Sequence, residues 1–324
     1  MQTILVPTEQ HDLTASMLQS ALLLARRFDS YVEGFALFPA MVEIYALDSE
    51  ISLPIEVKEH DAEMAQHARA VFERFMTGQG VPRSSSGAPS LSFDWLADAP
   101  DGDAFVGNYG RVFDVIVAGR PGSGRGSRPS LATIEAALFE AGRPVLIAPP
   151  APPQTLGESI LIAWNCSTEQ ARATTAAKPL LRKASRVVVL TVQGGSVPGP
   201  TGEQLARYLQ RNGVSCEAIT VSPEGRSTGE AILANAASLK CDLLIKGAYT
   251  QSRLRQMIFG GATRHILANA TIPSLRIREL PEPNRLWYHL LKSLCGWYRS
   301  QAQASSIRRQ RTRSFPALLI PCSR

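Results

Sequence analysis

The sequence predicts an α/β protein made of two doubly wound units in tandem, each a five-stranded parallel sheet, followed by a basic C-terminal tail. Three observations predict it. Short apolar runs alternate with stretches of helical periodicity, the signature of βαβ units and a parallel sheet. The pattern occurs twice: Thr3–Pro7 (TILVP) matches Ser159–Ala163 (SILIA), Asp114–Gly119 (DVIVAG) matches Asp242–Gly247 (DLLIKG), and Arg143–Ile147 (RPVLI) matches Ile272–Arg276 (IPSLR). The matching segments keep one order in both halves, and the offset falls from 156 to 128 and 129, so the first copy carries extra residues in its middle. The proline run Ala148–Pro153 separates the copies and reads as a stiff extended linker. The chain therefore divides into a first unit at 1–150, a second at 151–277 and a tail at 278–324.

In the first copy, residues 2–6 form a strand, and 12–28 a helix whose Met17, Leu18, Ala21, Leu22, Ala25 and Phe28 make one apolar stripe. A strand at 31–38 precedes a helix at about 56–77, with Met64, Ala68, Val71, Phe72 and Phe75 on one face. A strand at 90–96 alternates Leu91, Phe93 and Trp95, and strands at 114–118 and 144–147 flank a helix at 131–141. The Ser/Gly-rich stretch Pro82–Pro89 reads as a solvated loop. In the second copy three capping-box spacings mark helix starts: Ser167 with Gln170, Thr201 with Gln204, and Ser227 with Glu230. The implied order is strand 159–163, helix 168–184, strand 186–192, helix 202–211, strand 214–221, helix 228–239, strand 242–246, helix 260–269 and strand 272–276. Right-handed crossovers then place helices on both faces of each sheet.

Charge and cysteine usage narrow the class. Of 324 residues, 44% are hydrophobic, and the formal net charge is +6. Residues 1–276 hold 25 Lys plus Arg against 26 Asp plus Glu, whereas 277–324 hold 9 against 2. The body is thus neutral and the basicity belongs to the tail, which argues against a basic nucleic-acid-binding protein. Five cysteines without a CxxC pair read as reduced thiols rather than a disulfide framework or zinc site. Met1-Gln2-Thr3 runs directly into an apolar strand with no charged leader, and no apolar run approaches the ~18 residues of a membrane span, so the expected location is the cytosol. The tail pairs an apolar stretch, Leu286–Tyr298, with Arg308, Arg309, Arg311 and Arg313. It reads either as a basic amphipathic helix or as an accidental extension such as a shifted frame, largely disordered in both cases.

In doubly wound sheets, ligands bind at the carboxyl ends of strands where strand order reverses. Two segments of the second copy belong there: Ala163-Trp164-Asn165-Cys166-Ser167, and Lys246 through Thr263. Gly247, Gly260 and Gly261 would let backbone amides approach a ligand, and the amides of a helix N-terminus suit a phosphate. Thr263 adds a hydroxyl, and Arg253 or Arg255 a positive charge.

These features resemble the bacterial universal stress protein family, with two copies in one chain and Rossmann-like domains; the resemblance covers about residues 1–276. Nucleotide-binding members carry Gly-x2-Gly-x9-Gly-Ser/Thr after the fourth strand and an Asp after the first. Gly247 and Gly260 match the first and third glycines, while Thr250 stands at the second Gly, Gly261 at the Ser/Thr, Asn165 at the Asp, and Cys166 where a small Gly is common. By resemblance, Val192 lines an adenine pocket. The resemblance implies a cytosolic stress-response regulator that binds ATP, with Mg2+, in its C-terminal copy through Ala163, Asn165, Val192, Gly247, Thr250, Arg253, Gly260, Gly261 and Thr263. It also implies a protein partner or homodimer and at most weak ATP hydrolysis.

The first copy departs further. Gly119 and Gly122 keep two glycines, but Ala132-Thr133 replaces Gly-Ser/Thr, and the first strand ends in Pro7-Thr8-Glu9. Its loop with Arg120, Arg125 and Arg128 lacks the Gly-Lys-Ser/Thr ending of a P-loop and reads as a surface loop. The alternative for the whole protein is an interaction scaffold that binds no nucleotide. An enzyme of the nucleotide-activating α/β group lacks support, since HxGH and SGGxDS are absent. His60, Glu63, Met64 and His67 share a helical face, but the stripe continues into Val71 and Phe75 and reads as packing. Cys166 reads as a small buried residue rather than a reactive thiol.

Overall fold

The structure is a computed structural model that describes residues 1–9, 11–38, 55–85, 90–122, 129–248 and 261–278. The first half contains β1 (Thr3–Thr8), α1 (Thr14–Phe28), β2 (Tyr31–Ala36), α2 (Ile55–Gly78), β3 (Ser92–Leu96), α3 (Asp103–Tyr109), β4 (Val115–Ala118), α4 (Leu131–Phe139) and β5 (Val145–Ile147). The second contains β6 (Ser159–Trp164), α5 (Thr168–Ala176), α6 (Lys178–Lys183), β7 (Arg186–Val192), α7 (Gly202–Arg211), β8 (Glu217–Val221), α8 (Thr228–Ser238), β9 (Leu243–Ala248), α9 (Gly261–Asn269) and β10 (Ser274–Arg278). The tail from 279 onward lies outside the described residues.

The ten strands form one sheet in the order β3-β2-β1-β4-β5-β10-β9-β6-β7-β8. Each half repeats a doubly wound order, third-second-first-fourth-fifth, with its reversal between the first and fourth strands. All described pairings are parallel except the central one, where β10 runs antiparallel to β5 with Leu275 opposite Leu146. The carboxyl strand ends of the two halves therefore lie at opposite edges of the sheet. The two units read from the sequence are halves of one compact body, Met1–Glu279.

Alternation along the strands explains the layers. Ile4, Val6, Ile160, Ile162 and Leu275 point to a continuous core that also holds Leu18 of α1, Phe72 of α2, Leu180 of α6 and Leu209 of α7. Leu5 and Ile116 face α3 and α4 on the other side, and Leu161 and Leu244 face α8 and α9. The matched Asp residues do the same work in each half. Asp114 accepts the amides of Gln2 and Thr3, and Asp242 accepts those of Gly157, Glu158 and Ser159 at 2.9–3.1 Å, so each tethers the start of its own first strand. The proline run is docked, since Ser16 donates to the carbonyls of Pro149 and Ala151.

Three details differ from the sequence reading. The helix expected over 168–184 breaks at Ala177 into α5 and α6, because Pro179 has no N–H to continue the ladder. Helix α3 was not expected. Its Gly107 lets it approach α4 closely, since a Cβ there would lie 2.5 Å from Glu140 Cβ, and tertiary contact outweighs the low helix propensity. The boxes at Thr201 and Ser227 are complete, but that at Ser167 is only half formed. Ser167 Oγ accepts from Gln170 N, while the Gln170 side chain donates to Ile245 O and accepts from Gly247 N, tying α5 to β9.

Candidate functional site

A cavity of about 160 Å³ opens at the reversal point of the second half, beside the carboxyl ends of β6, β7 and β9. Strand β6 contributes Ala163 and Trp164, with Asn165 following; β7 contributes Leu190 and Val192; β9 contributes Lys246. Gly195, Thr228 and Ile232 close one side, and Gly261, Ala262 and Thr263, the first turn of α9, close another. Five of the sequence-predicted residues, Ala163, Asn165, Val192, Gly261 and Thr263, are thus brought together. Thr250, Arg253 and Gly260 lie outside the described residues.

Local structure explains the placements. Asn165 Oδ1 accepts from Ser167 Oγ at 2.9 Å and Ser167 N at 3.4 Å, so its oxygen builds the turn into α5, which leaves its NH2 as the donor for a ligand. Cys166 takes a left-handed φ of 64°, a conformation that normally favours glycine. Its side chain is half-buried against Gly199, whose own Cβ would lie 3.0 Å from that of Cys166. Trp164 is held by donation from Nε1 to Pro200 O at 2.8 Å.

Gly247 is not part of the cavity wall. Its N–H donates to Gln170 Oε1 at 2.8 Å, and a Cβ would stand 2.7 Å from Gln170 N and 2.8 Å from Glu169 C. The residue is glycine because α5 packs against β9 there. Of the glycines read as ligand-facing, Gly261 does line the cavity, with Ala262 and Thr263, in the first turn of α9, where N–H groups have no acceptor inside the helix.

Sequence reasoning missed Lys246, although a charged residue inside the apolar run Leu243–Ala248 was a visible signal. Its residue is only 6% exposed, and it lines the cavity. Burial, reinforced by the nearby Arg276 charge and partly opposed by Glu169, lowers its pKa from 10.5 to about 8. Arg276, 1% exposed, is its register partner on β10. Two cations are therefore buried on adjacent strands, and of the two Lys246 lines the cavity.

The first half presents different chemistry at the corresponding helix start. Ser130 Oγ caps α4 by accepting from Thr133 N at 3.0 Å. Thr133 Oγ1 donates to Asp103 Oδ1 at 2.6 Å and stands 3.4 Å from Glu9 Oε1, a carboxylate that is only 4% exposed. Arg120 donates to Ala270 O, and the loop with Arg125 and Arg128 lies outside the described residues. A second cavity, about 150 Å³, lies between α1 and α2 and is lined by Glu9, His11, His67 and Val71 among others. His60 falls outside the described side chains, and among the described residues no group of three or more His, Cys, Asp or Glu is placed to hold a metal. No described helix is long and apolar enough to cross a membrane.

Fold and site together define a tandem doubly wound α/β protein with a strand-end cavity in its second half. No family model matches the sequence, and no curated protein matches it. Among solved structures, the chain is similar to a universal stress protein from Archaeoglobus fulgidus DSM 4304, with a TM-score of 0.65 and 15% identity over 86% of this chain and 97% of that one. A putative universal stress protein from Pseudomonas aeruginosa UCBPP-PA14 aligns over 86% of this chain and 93% of its own, with 17% identity and a TM-score of 0.47. A universal stress protein in complex with cAMP aligns over 37% of this chain and 96% of its own, with 14% identity and a TM-score of 0.28. The chain has the universal stress protein fold.

Proposed function

We propose that this chain is a tandem universal stress protein whose second half binds an adenine nucleotide, ATP with Mg2+, and whose role is cytosolic regulation through binding rather than catalysis. One observation carries the reading: Ala163, Asn165, Val192, Gly261 and Thr263, chosen from the sequence, line one cavity at the strand-order reversal. Its apolar wall of Ala163, Leu190, Val192 and Ile232 suits a flat ring. Its polar end, with the α9 amides, Thr263 and Asn165, suits ribose and phosphate. Mg2+ would enter on the phosphates of the nucleotide. The first half is read as a degraded site, since Glu9 and Asp103 hold Thr133 where a phosphate would need to sit and like charge excludes it.

A second reading, an interaction scaffold without nucleotide, is favoured by the cavity's size. The 160 Å³ bounded by described residues falls below the roughly 300–1,000 Å³ of ordinary ligand pockets. Calorimetric titration of ATP with magnesium into the full chain separates the readings. One site per chain, lost in Ala163→Trp, supports nucleotide binding; a flat titration at millimolar ligand supports the scaffold.

A further inference from the structure

We propose that Lys246 is the specificity-determining residue of this cavity: its ammonium group pairs with the anionic oxygens of a phosphate on the ligand, and ligand binding is thereby coupled to proton uptake. The inference rests on the nucleotide reading and adds to it the group that selects phosphorylated over neutral ligands.

Its basis is an uncompensated charge. Lys246 is buried, reaches the cavity, and makes no hydrogen bond or ion pair with any described residue. A buried cation is costly unless it is paired. The charged groups acting on it are Arg276 of β10, which repels it, and Glu169 of α5, which attracts it without forming an ion pair. The cavity-lining residues from β6, β7, α8 and α9 are all uncharged, so among the described residues none supplies a counter-charge inside the cavity. Gly261, Ala262 and Thr263, the first turn of α9, line the same small space, and the N-terminus of a helix also favours an anion. Lysine and helix terminus, from different elements, thus converge on one kind of group. The Lys246 amine titrates near pH 8. At that pH the empty site is half protonated, and an arriving anion draws the remaining proton.

The test is titration of the full chain at pH 8 with ATP, adenosine and inorganic pyrophosphate, each in two buffers of different ionisation enthalpy, for wild type, Lys246→Met and Lys246→Arg. Wild type is expected to prefer ATP over adenosine and to take up about half a proton per ATP bound, from a pKa of about 8. Lys246→Met should lose ATP affinity by about 10- to 100-fold, as for loss of a charge-assisted bond, keep adenosine affinity within about twofold, and take up no proton. Lys246→Arg should retain the phosphate preference without proton uptake, because a guanidinium stays charged. If ATP binds but Lys246→Met binds it as tightly as wild type, the assignment of Lys246 is overturned while the nucleotide reading stands. If neither ATP nor adenosine binds, the nucleotide reading falls and pyrophosphate decides. Binding that depends on Lys246 and takes up a proton sustains the phosphate site, and no binding overturns it.

Discussion

Replacing Lys246 by methionine should stabilise the ligand-free protein, by an amount that depends on pH in a defined way. The residue is 6% exposed, and burial lowers its pKa from 10.5 to about 8 on folding. At 1.36 kcal/mol per pH unit, carrying the charge in the folded state costs about 3 kcal/mol at pH 7. Between about pH 8 and 10.5 the unfolded chain holds the proton that the folded chain has lost. Wild-type stability therefore rises with pH through that window relative to a variant without the amine. Lys246→Met removes the penalty and keeps a side chain of similar volume. Its advantage should be about 3 kcal/mol at pH 7, about 2 kcal/mol at pH 9 and almost nothing at pH 10.5. Urea denaturation of both proteins at these three pH values, with slopes compared to confirm a common unfolding transition, gives the measurement. An advantage that is absent at pH 7, or constant across the range, would refute the argument that an uncompensated buried charge sits in this site.

Other outcomes follow from the packing. Gly247→Ala should cost about 1–3 kcal/mol in urea denaturation, because its Cβ would meet the α5 backbone at 2.7 Å. Gln170→Ala removes bonds to Ile245 O and Gly247 N and should destabilise by about 2–3 kcal/mol, whereas Gln204→Ala at the exposed box should cost under about 1 kcal/mol. Thr201→Ala and Ser227→Ala each remove a complete cap and should cost about 1 kcal/mol apiece, adding in the double variant. Phe72→Ala should cost about 3–5 kcal/mol, yet leave ATP affinity unchanged in calorimetry, because Phe72 lies in the core on the face away from the cavity.

Much of the architecture was legible because its causes are local. Apolar runs such as Ile4–Val6 and Leu243–Ile245 are strands by composition alone, and Ser167, Thr201 and Ser227 mark helix starts by hydroxyl chemistry. The repeat placed Asp114 and Asp242 in register, and the structure shows why: each caps the first strand of its half. What was not legible depends on distant partners. Helix α3 exists because Gly107 meets Glu140, and the Gln170 side chain leaves its capping box for β9. The joining of two sheets into one rests on the edges Val145–Ile147 and Ser274–Arg276 pairing antiparallel, with Leu146 opposite Leu275. At the site, a glycine pattern read as ligand-facing splits. Gly261 lines the cavity, while Gly247 turns its amide to Gln170. Lys246 was visible as a charge in an apolar strand, but its pairing with Arg276 needed the register of β9 and β10.

The central claim is that one half of a repeated fold keeps a nucleotide site that the other has lost, and a crystal structure of the full chain grown with ATP and magnesium tests it most directly. One nucleotide per chain is expected, with its base against Ala163 and Val192 and a phosphate within hydrogen-bonding distance of Lys246 and the first turn of α9. No nucleotide is expected beside Thr133, where Glu9 and Asp103 stand. An empty second-half cavity at millimolar ATP, or a nucleotide bound in the first half, would contradict it.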